Sequence, residues 1–298
     1  MKIISNIRSD TVSFGAGRIL FVEGKDDSFD VRVLRQILPI EVKPLGASFA
    51  LKGAAEAFAA VCPTYFFVID RDHVDDDEVE RHWQNFPKAD TPNLLIWRKK
   101  ELENYFLDPS FLMQSEWFDS RRSADDLKKI ILRSARRIIY MAAANLVIEK
   151  VRETLKRKWI EQFTCENEFP NAEVAKGLLL SRNEFSDQKM RFSDTVRPDA
   201  IGRSFDETLR ILTGGHEPLE WGCGRWLDLL PAKDMLNAVV QSSCFRVKGK
   251  RSNCLTGEEK KQAIIESLVR QGNRLPDDFT KLCEILNTRT KSVEGRLK

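Results

Sequence analysis

Two short apolar runs, each ended abruptly by acidic residues, constrain the fold of this chain more than any other feature. Ile19 to Val22 runs into Glu23-Gly24, and Tyr65 to Ile69 runs into Asp70-Arg71-Asp72. Continuous apolar runs rich in β-branched and aromatic residues suit strands buried on both faces of a parallel sheet. Residues just past the carboxyl ends of such strands gather along one edge, where open α/β sheets place ligands. Glu23, Asp70 and Asp72 are therefore expected to converge. Three carboxylates in one place repel, and each would sooner be protonated than share the site. A hard divalent cation removes the conflict, and all-carboxylate donors suit Mg²⁺ or Mn²⁺.

The stretches around these runs complete a β-α-β-α-β-α-β order. Asp26, Asp27 and Ser28 offer N-cap oxygens for a helix to about Leu38, with Phe29, Val33 and Ile37 at helical spacing, and Pro39 stops it. Glu41 to Leu45 reads as a strand, Ser48 to Val61 as a helix, Asp75 to Asn85 as a helix with an acidic start, and Leu94 to Trp97 as a fourth strand. That order predicts an α/β fold with a parallel sheet, right-handed crossovers and flanking helices. Pro109 closes this part, so residues 1–115 are expected to form one domain and 116–298 a mainly α-helical one.

From Ser123 to about Ile160 there is no Gly or Pro. Ile131, Ile138, Ala142, Val147, Val151, Leu155 and Trp159 share an apolar stripe with their neighbours, which predicts one long helix, 123–160, as a packing arm or dimer contact, or two helices broken near Ala142 to Asn145. Residues 161–220 are less regular, with basic loops expected around Arg182, Arg191 and Arg203. The segment 231–246, PAKDMLNAVVQSSCFR, starts a helix at Lys233. A cation is poorly placed at that end of a helix. Two amphipathic helices, 258–271 and 277–287, close the chain.

The chain has 298 residues and a net charge of +3, but the charge is uneven. Residues 121–158 hold twelve Lys/Arg against four Asp/Glu, a local +8 that leaves 3 − 8 = −5 for the rest. A basic stretch beside an acidic metal site is the electrostatic footprint of a nucleic-acid enzyme, and Arg133, Arg136 and Arg137 are the expected phosphate contacts; a solvated helix face would look the same. The six Cys are scattered without a CxxC pair and only three His are present, so no zinc site is expected. MKIISNIRSD lacks the apolar core of a secretory signal and no run approaches a membrane span, so a cytoplasmic protein is expected.

VEGKDD followed by VIDRD resembles the Toprim domain shared by primases, type IA and type II topoisomerases and OLD-type nucleases. The resemblance implies a Toprim-like sheet in which Glu23 and Asp70-x-Asp72 hold Mg²⁺ for phosphoryl transfer. WRKKELENYFLDP is similar to the ENY segment of standalone Toprim nucleases, which makes Glu103 the further metal-site carboxylate and Glu101 its reserve. Asp27 matches the EGxxD pattern of OLD-type enzymes and reads equally as a ligand or a helix cap. LLPAKDML resembles the late Pro-Gly-Lys-Glu-Leu segment of these families, with Ala232 in place of the Gly. It implies a catalytic Lys233, returned to the active site, that stabilises charge on the phosphate.

Topoisomerases need a nucleophilic Tyr in a further domain, whereas Tyr65 lies in a strand and Tyr105 and Tyr140 in helical contexts. Primases need zinc and nucleotide modules that are not evident. Hydrolysis needs only two metals and an activated water. No GxxxxGK[ST] stretch is present, so ATP is not hydrolysed by that route. The layout is most similar to the AriB-type standalone Toprim effectors of PARIS anti-phage systems. That likeness implies a toxic endonuclease cutting host tRNA, sequestered by a partner ABC-type ATPase and released as a homodimer. A DNA endonuclease of OLD type and a non-catalytic Toprim adaptor are the alternatives.

Overall fold

The computed structural model describes residues 17–294 except 60, 73, 87–91, 156–161, 183–194, 249–254 and 271. The chain divides into two compact units: Met1–Arg98 with Ile265–Lys298, and Lys99–Ile264. The sequence predicts one boundary, at 115; the chain instead passes between units at 98 and again at 265.

The first unit is α/β. Its four strands, β1 (Ile19–Val22), β2 (Glu41–Pro44), β3 (Tyr65–Ile69) and β4 (Leu94–Ile96), form one parallel sheet in the order β2-β1-β3-β4. Helices α1 (Phe29–Ile37), α2 (Ser48–Phe58) and α3 (Asp76–Asn85) make the crossovers. β1 and β3 are inner strands, and every residue in them is buried, as continuous apolar runs require. β2 lies at the edge and is only partly buried, which is where Pro44, lacking an N–H, is tolerated. Phe21 stacks on Phe67 at 5.2 Å and meets Tyr65 edge-on at 5.4 Å, so aromatic rings join the two inner strands across the sheet.

The closing helix Asp277–Glu294 belongs to this unit for identifiable reasons. Phe279 packs edge-on against Trp97 at 5.7 Å, just past β4. Arg98 sits over the Trp83 ring at 4.2 Å and bridges Glu80 of α3 to Asp278, a pairing that raises its already high pKa further. An isolated amphipathic helix gains stability from the apolar face it finds, not from its place in the sequence.

The second unit is helical. A 3-10 helix, Leu102–Leu107, is buried along its whole length and leads into α4 (Pro109–Leu112). α5 (Ala124–Leu155) follows, then α6 (Ala172–Leu180) and the helices Pro198–Thr213, Trp226–Leu229, Lys233–Gln241 and Gly257–Leu268. α5 is unbroken at Ala142 to Asn145. Ala142, Ala143 and Ala144 are all buried, so this stretch is a close-packed helix middle flanked by neighbours on more than one side. Asn145 faces the returning chain, accepting from the Phe163 N–H at 2.9 Å and donating to its carbonyl at 3.1 Å. The expected extension of this helix to residue 160, including Trp159, lies outside the described residues, as does Arg191. Arg203 is not in a loop. It lies inside Pro198–Thr213 and pairs with Asp199 one turn back at 3.2 Å. Among the described residues, no helix is long and apolar enough to cross a membrane.

Candidate active site

The strand order carries the chemistry of the first unit. From β1 the chain moves to one side, to β2, then crosses back to β3 and continues outward to β4. The direction of winding therefore reverses between β1 and β3. That switch point, at the carboxyl ends of the strands, is where open α/β sheets leave a crevice for ligands. β1 and β3 pair with Val22 opposite Val68, so Glu23 and Asp70 emerge side by side. The Glu23 Oε1 accepts the Asp70 N–H at 3.1 Å, and both residues are half-buried. Gly24, with φ of 103°, turns the chain at once after Glu23 and bridges to Gly46 past β2; a side chain there would strike Ser28.

Asp70-Arg71-Asp72 is held by its middle residue. Arg71 is 4% exposed and donates to the Val74 carbonyl at 2.9 Å, to the Arg98 carbonyl at 2.8 Å and to Asp76. With Arg71 anchored inward, Asp70 and Asp72 flank it, and Asp72 is exposed in a left-handed conformation with φ of 48°. Such a conformation costs a non-glycine residue energy, and Asp is among the residues that tolerate it. Asp75, three residues on, is the N-cap of α3 and accepts from the Glu78 N–H at 2.8 Å.

Asp27 is not a cap. The N-cap of α1 is Ser28, and Asp27 lies in the preceding turn, exposed, without a hydrogen bond or ion pair among the described residues. Asp26 instead pairs with Arg35 at 3.0 Å. The Ser28 Oγ is buried and makes no hydrogen bond. Glu23 and Asp70 are thus brought together, but among the described residues Glu23, Asp27, Asp70 and Asp72 do not form a group of three carboxylates with donor atoms within 4.8 Å of one another. Their oxygen donors are of the kind a hard divalent cation takes.

In the second unit the residues after β4 have divided duties. Glu101 begins the 3-10 helix in a capping box with Asn104, whose side chain accepts the Glu101 N–H at 3.1 Å. The Glu101 Oε1 also accepts the N–H groups of Ala232 at 2.6 Å and Lys233 at 2.9 Å, so one carboxylate closes the start of the helix Lys233–Gln241. Glu101 is thus committed to structure, and its reserve role as a metal ligand is set aside. Asn104, fully buried, donates to the carbonyls of Leu227 at 2.8 Å and Leu230 at 2.9 Å. The Tyr105 hydroxyl accepts the Lys99 N–H at 3.4 Å, and the Lys99 ammonium lies over its ring at 5.3 Å.

Lys233 opens its helix, as its sequence context indicates, but its unfavourable position has a local compensation. Glu101 supplies negative charge at that helix end, with the Lys233 Nζ 3.7 Å from its Oε2. The Lys233 side chain is still 64% exposed. Glu103 is the unusual group here. It is 2% exposed, and burial, reinforced by the negative charge of Glu101, pushes its pKa up to about 7 against the pull of Lys233 and Lys261. Lys261, itself only 8% exposed, carries no distinguishing signal in the sequence because it sits inside an ordinary amphipathic helix pattern.

Of the three expected phosphate contacts on α5, all are exposed. Arg136 donates twice to the Leu219 carbonyl, at 2.7 and 3.2 Å, and Arg137 pairs with Glu166. Arg133 has no ion pair among the described residues. A further cluster was not anticipated: the donor atoms of His216, Glu220 and Cys223 lie within 4.8 Å of one another. The three sit between helices Pro198–Thr213 and Trp226–Leu229 at a spacing that matches no familiar sequence pattern. No protein-family model matches the chain, and no curated protein matches it.

Proposed function

We propose that this protein is a metal-dependent endonuclease of Toprim type, with Glu23, Asp70 and Asp72 holding Mg²⁺ or Mn²⁺ and Asp27 joining them. The observation that carries the reading is the meeting of Glu23 and Asp70 at the point where the sheet reverses its winding. A bound divalent cation would supply an activated water and neutralise charge on the phosphodiester. The chain's own residues supply the rest. Glu23 is placed by its hydrogen bond to the Asp70 backbone, and Asp70 and Asp72 are fixed by the Arg71 anchor between them. Glu103 and Lys233 take their roles, further ligand and phosphate-facing cation, from the resemblance. The same resemblance makes RNA, and tRNA within it, the favoured substrate, with an ABC-type ATPase partner that restrains the enzyme and a homodimer as the active form.

The test is cleavage of total RNA and of duplex DNA by the purified chain, with cut ends mapped by sequencing. Cleavage that stops in EDTA, and is lost in Glu23→Gln and in the double change Asp70→Ala with Asp72→Ala while circular dichroism stays native, supports the reading. Activity persisting in chelator or in Glu23→Gln refutes it. Cuts confined to DNA would keep the metal site and reject the RNA substrate.

A further inference from the structure

The loop between helices Pro198–Thr213 and Trp226–Leu229 is built with more care than a connector needs. Gly214 and Gly224, both at positive φ, bring their backbones so close that a Cβ on Gly224 would lie 2.1 Å from the Leu212 carbonyl oxygen. The Arg225 N–H reaches the Ile211 and Leu212 carbonyls at 3.0 and 3.1 Å, so the two ends are fastened together. In between, the Leu219 carbonyl is held by Arg136, the Glu220 carbonyl by the Trp226 indole N–H at 3.1 Å, and the Glu217 carboxylate by the Tyr140 hydroxyl. Trp221 packs edge-on against Trp226 at 5.5 Å. This framework presents an imidazole, a carboxylate and a thiol on one short loop, two of them half exposed and Cys223 half-buried.

We propose that His216, Glu220 and Cys223 form a three-ligand site for Zn²⁺, with water in the fourth position. The His216 Nδ1 and Glu220 Oε2 are 3.3 Å apart. Tetrahedral Zn²⁺ with bonds of about 2.0–2.1 Å to nitrogen and oxygen requires that edge to be about 3.3 Å. The edges to sulfur require about 3.5 Å, within reach from a cluster whose donors lie no more than 4.8 Å apart. Thiolate and imidazole select Zn²⁺ over the hard Mg²⁺ that carboxylates alone would take. Binding releases the Cys223 thiol proton to the buffer as the sulfur coordinates. The site is separate in residues and in metal preference from Glu23, Asp70 and Asp72, so it stands or falls independently of the nuclease reading.

The experiment uses the full chain, stripped with chelator and dialysed, then titrated with Zn²⁺ against a chromophoric competitor in millimolar Mg²⁺. One Zn²⁺ per chain is expected. Cys223→Ser and His216→Ala should each weaken it by about 100-fold or more, since losing a ligand costs at least as much as losing a residue that only orients one. Co²⁺ in place of Zn²⁺ should give the near-ultraviolet charge-transfer band of a thiolate ligand, absent in Cys223→Ser. Thermal melts of the apo proteins show whether each variant folds, and Glu220→Gln, which keeps shape, serves as a further variant. Absence of a stoichiometric Zn²⁺ in the wild type overturns the proposal, as does a Zn²⁺ affinity unchanged in folded Cys223→Ser.

Discussion

Replacing Glu103 by Gln tests the electrostatics of the second unit directly. Glu103 is buried beside Glu101, and its pKa rises from 4.5 to about 7. Between those values the folded chain keeps a proton that the unfolded chain has lost. The folded state thus binds more protons, and stability falls as pH rises through that window. The contribution is fully present below about 4.5 and lost above about 7. At 1.36 kcal/mol per unit, a rise of roughly 2.5 units is worth about 3 kcal/mol. Gln mimics the protonated carboxyl and does not titrate, so the variant should lack this component. Urea unfolding of both proteins in EDTA, from pH 4.5 to 8.5, measures it. The wild type should lose about 3 kcal/mol relative to Glu103→Gln across the range, with most of the loss between pH 5 and 7. Parallel profiles would show that Glu103 ionises as easily folded as unfolded, and the argument from burial would fail.

Lys233→Met should leave folding intact and lower turnover by roughly two to three powers of ten, the scale for one electrostatic contact in the transition state, with partial rescue by Lys233→Arg; unchanged turnover would leave Lys233 as no more than the partner of Glu101. On α5, Arg133→Ala should flatten the salt dependence of nucleic-acid binding by about one unit of slope, whereas Arg136→Ala should act first on stability by releasing the Leu219 carbonyl, and a salt slope unmoved by Arg133→Ala would assign this face to protein contacts.

The strands, the crossover helices and the parallel sheet were legible in the sequence because buried strands and amphipathic helices write their burial directly into local periodicity. Ile19–Val22 and Tyr65–Ile69 fall where their apolar runs lie. The meeting of Glu23 and Asp70 was legible too, since strand ends of one parallel sheet share an edge whatever the intervening sequence, whereas the convergence also expected of Asp72 is not seen as a group of three carboxylates among the described residues. The duties of Glu101 and Glu103 could not be read, because two acidic residues two positions apart differ only in what the fold places over them. One meets a helix start at Ala232 and Lys233; the other is buried, with the charge of Glu101 against it and those of Lys233 and Lys261 only partly offsetting the cost. Asp26, Asp27 and Ser28 were equivalent caps in the sequence, and only the folded backbone shows that α1 begins after Ser28. The return of the last helix to the first unit, and the gathering of His216, Glu220 and Cys223, depend on contacts whose partners are set by shape and not by spacing. Local physics reaches a few residues along the chain, and only tertiary packing selects which distant groups desolvate, pair or converge.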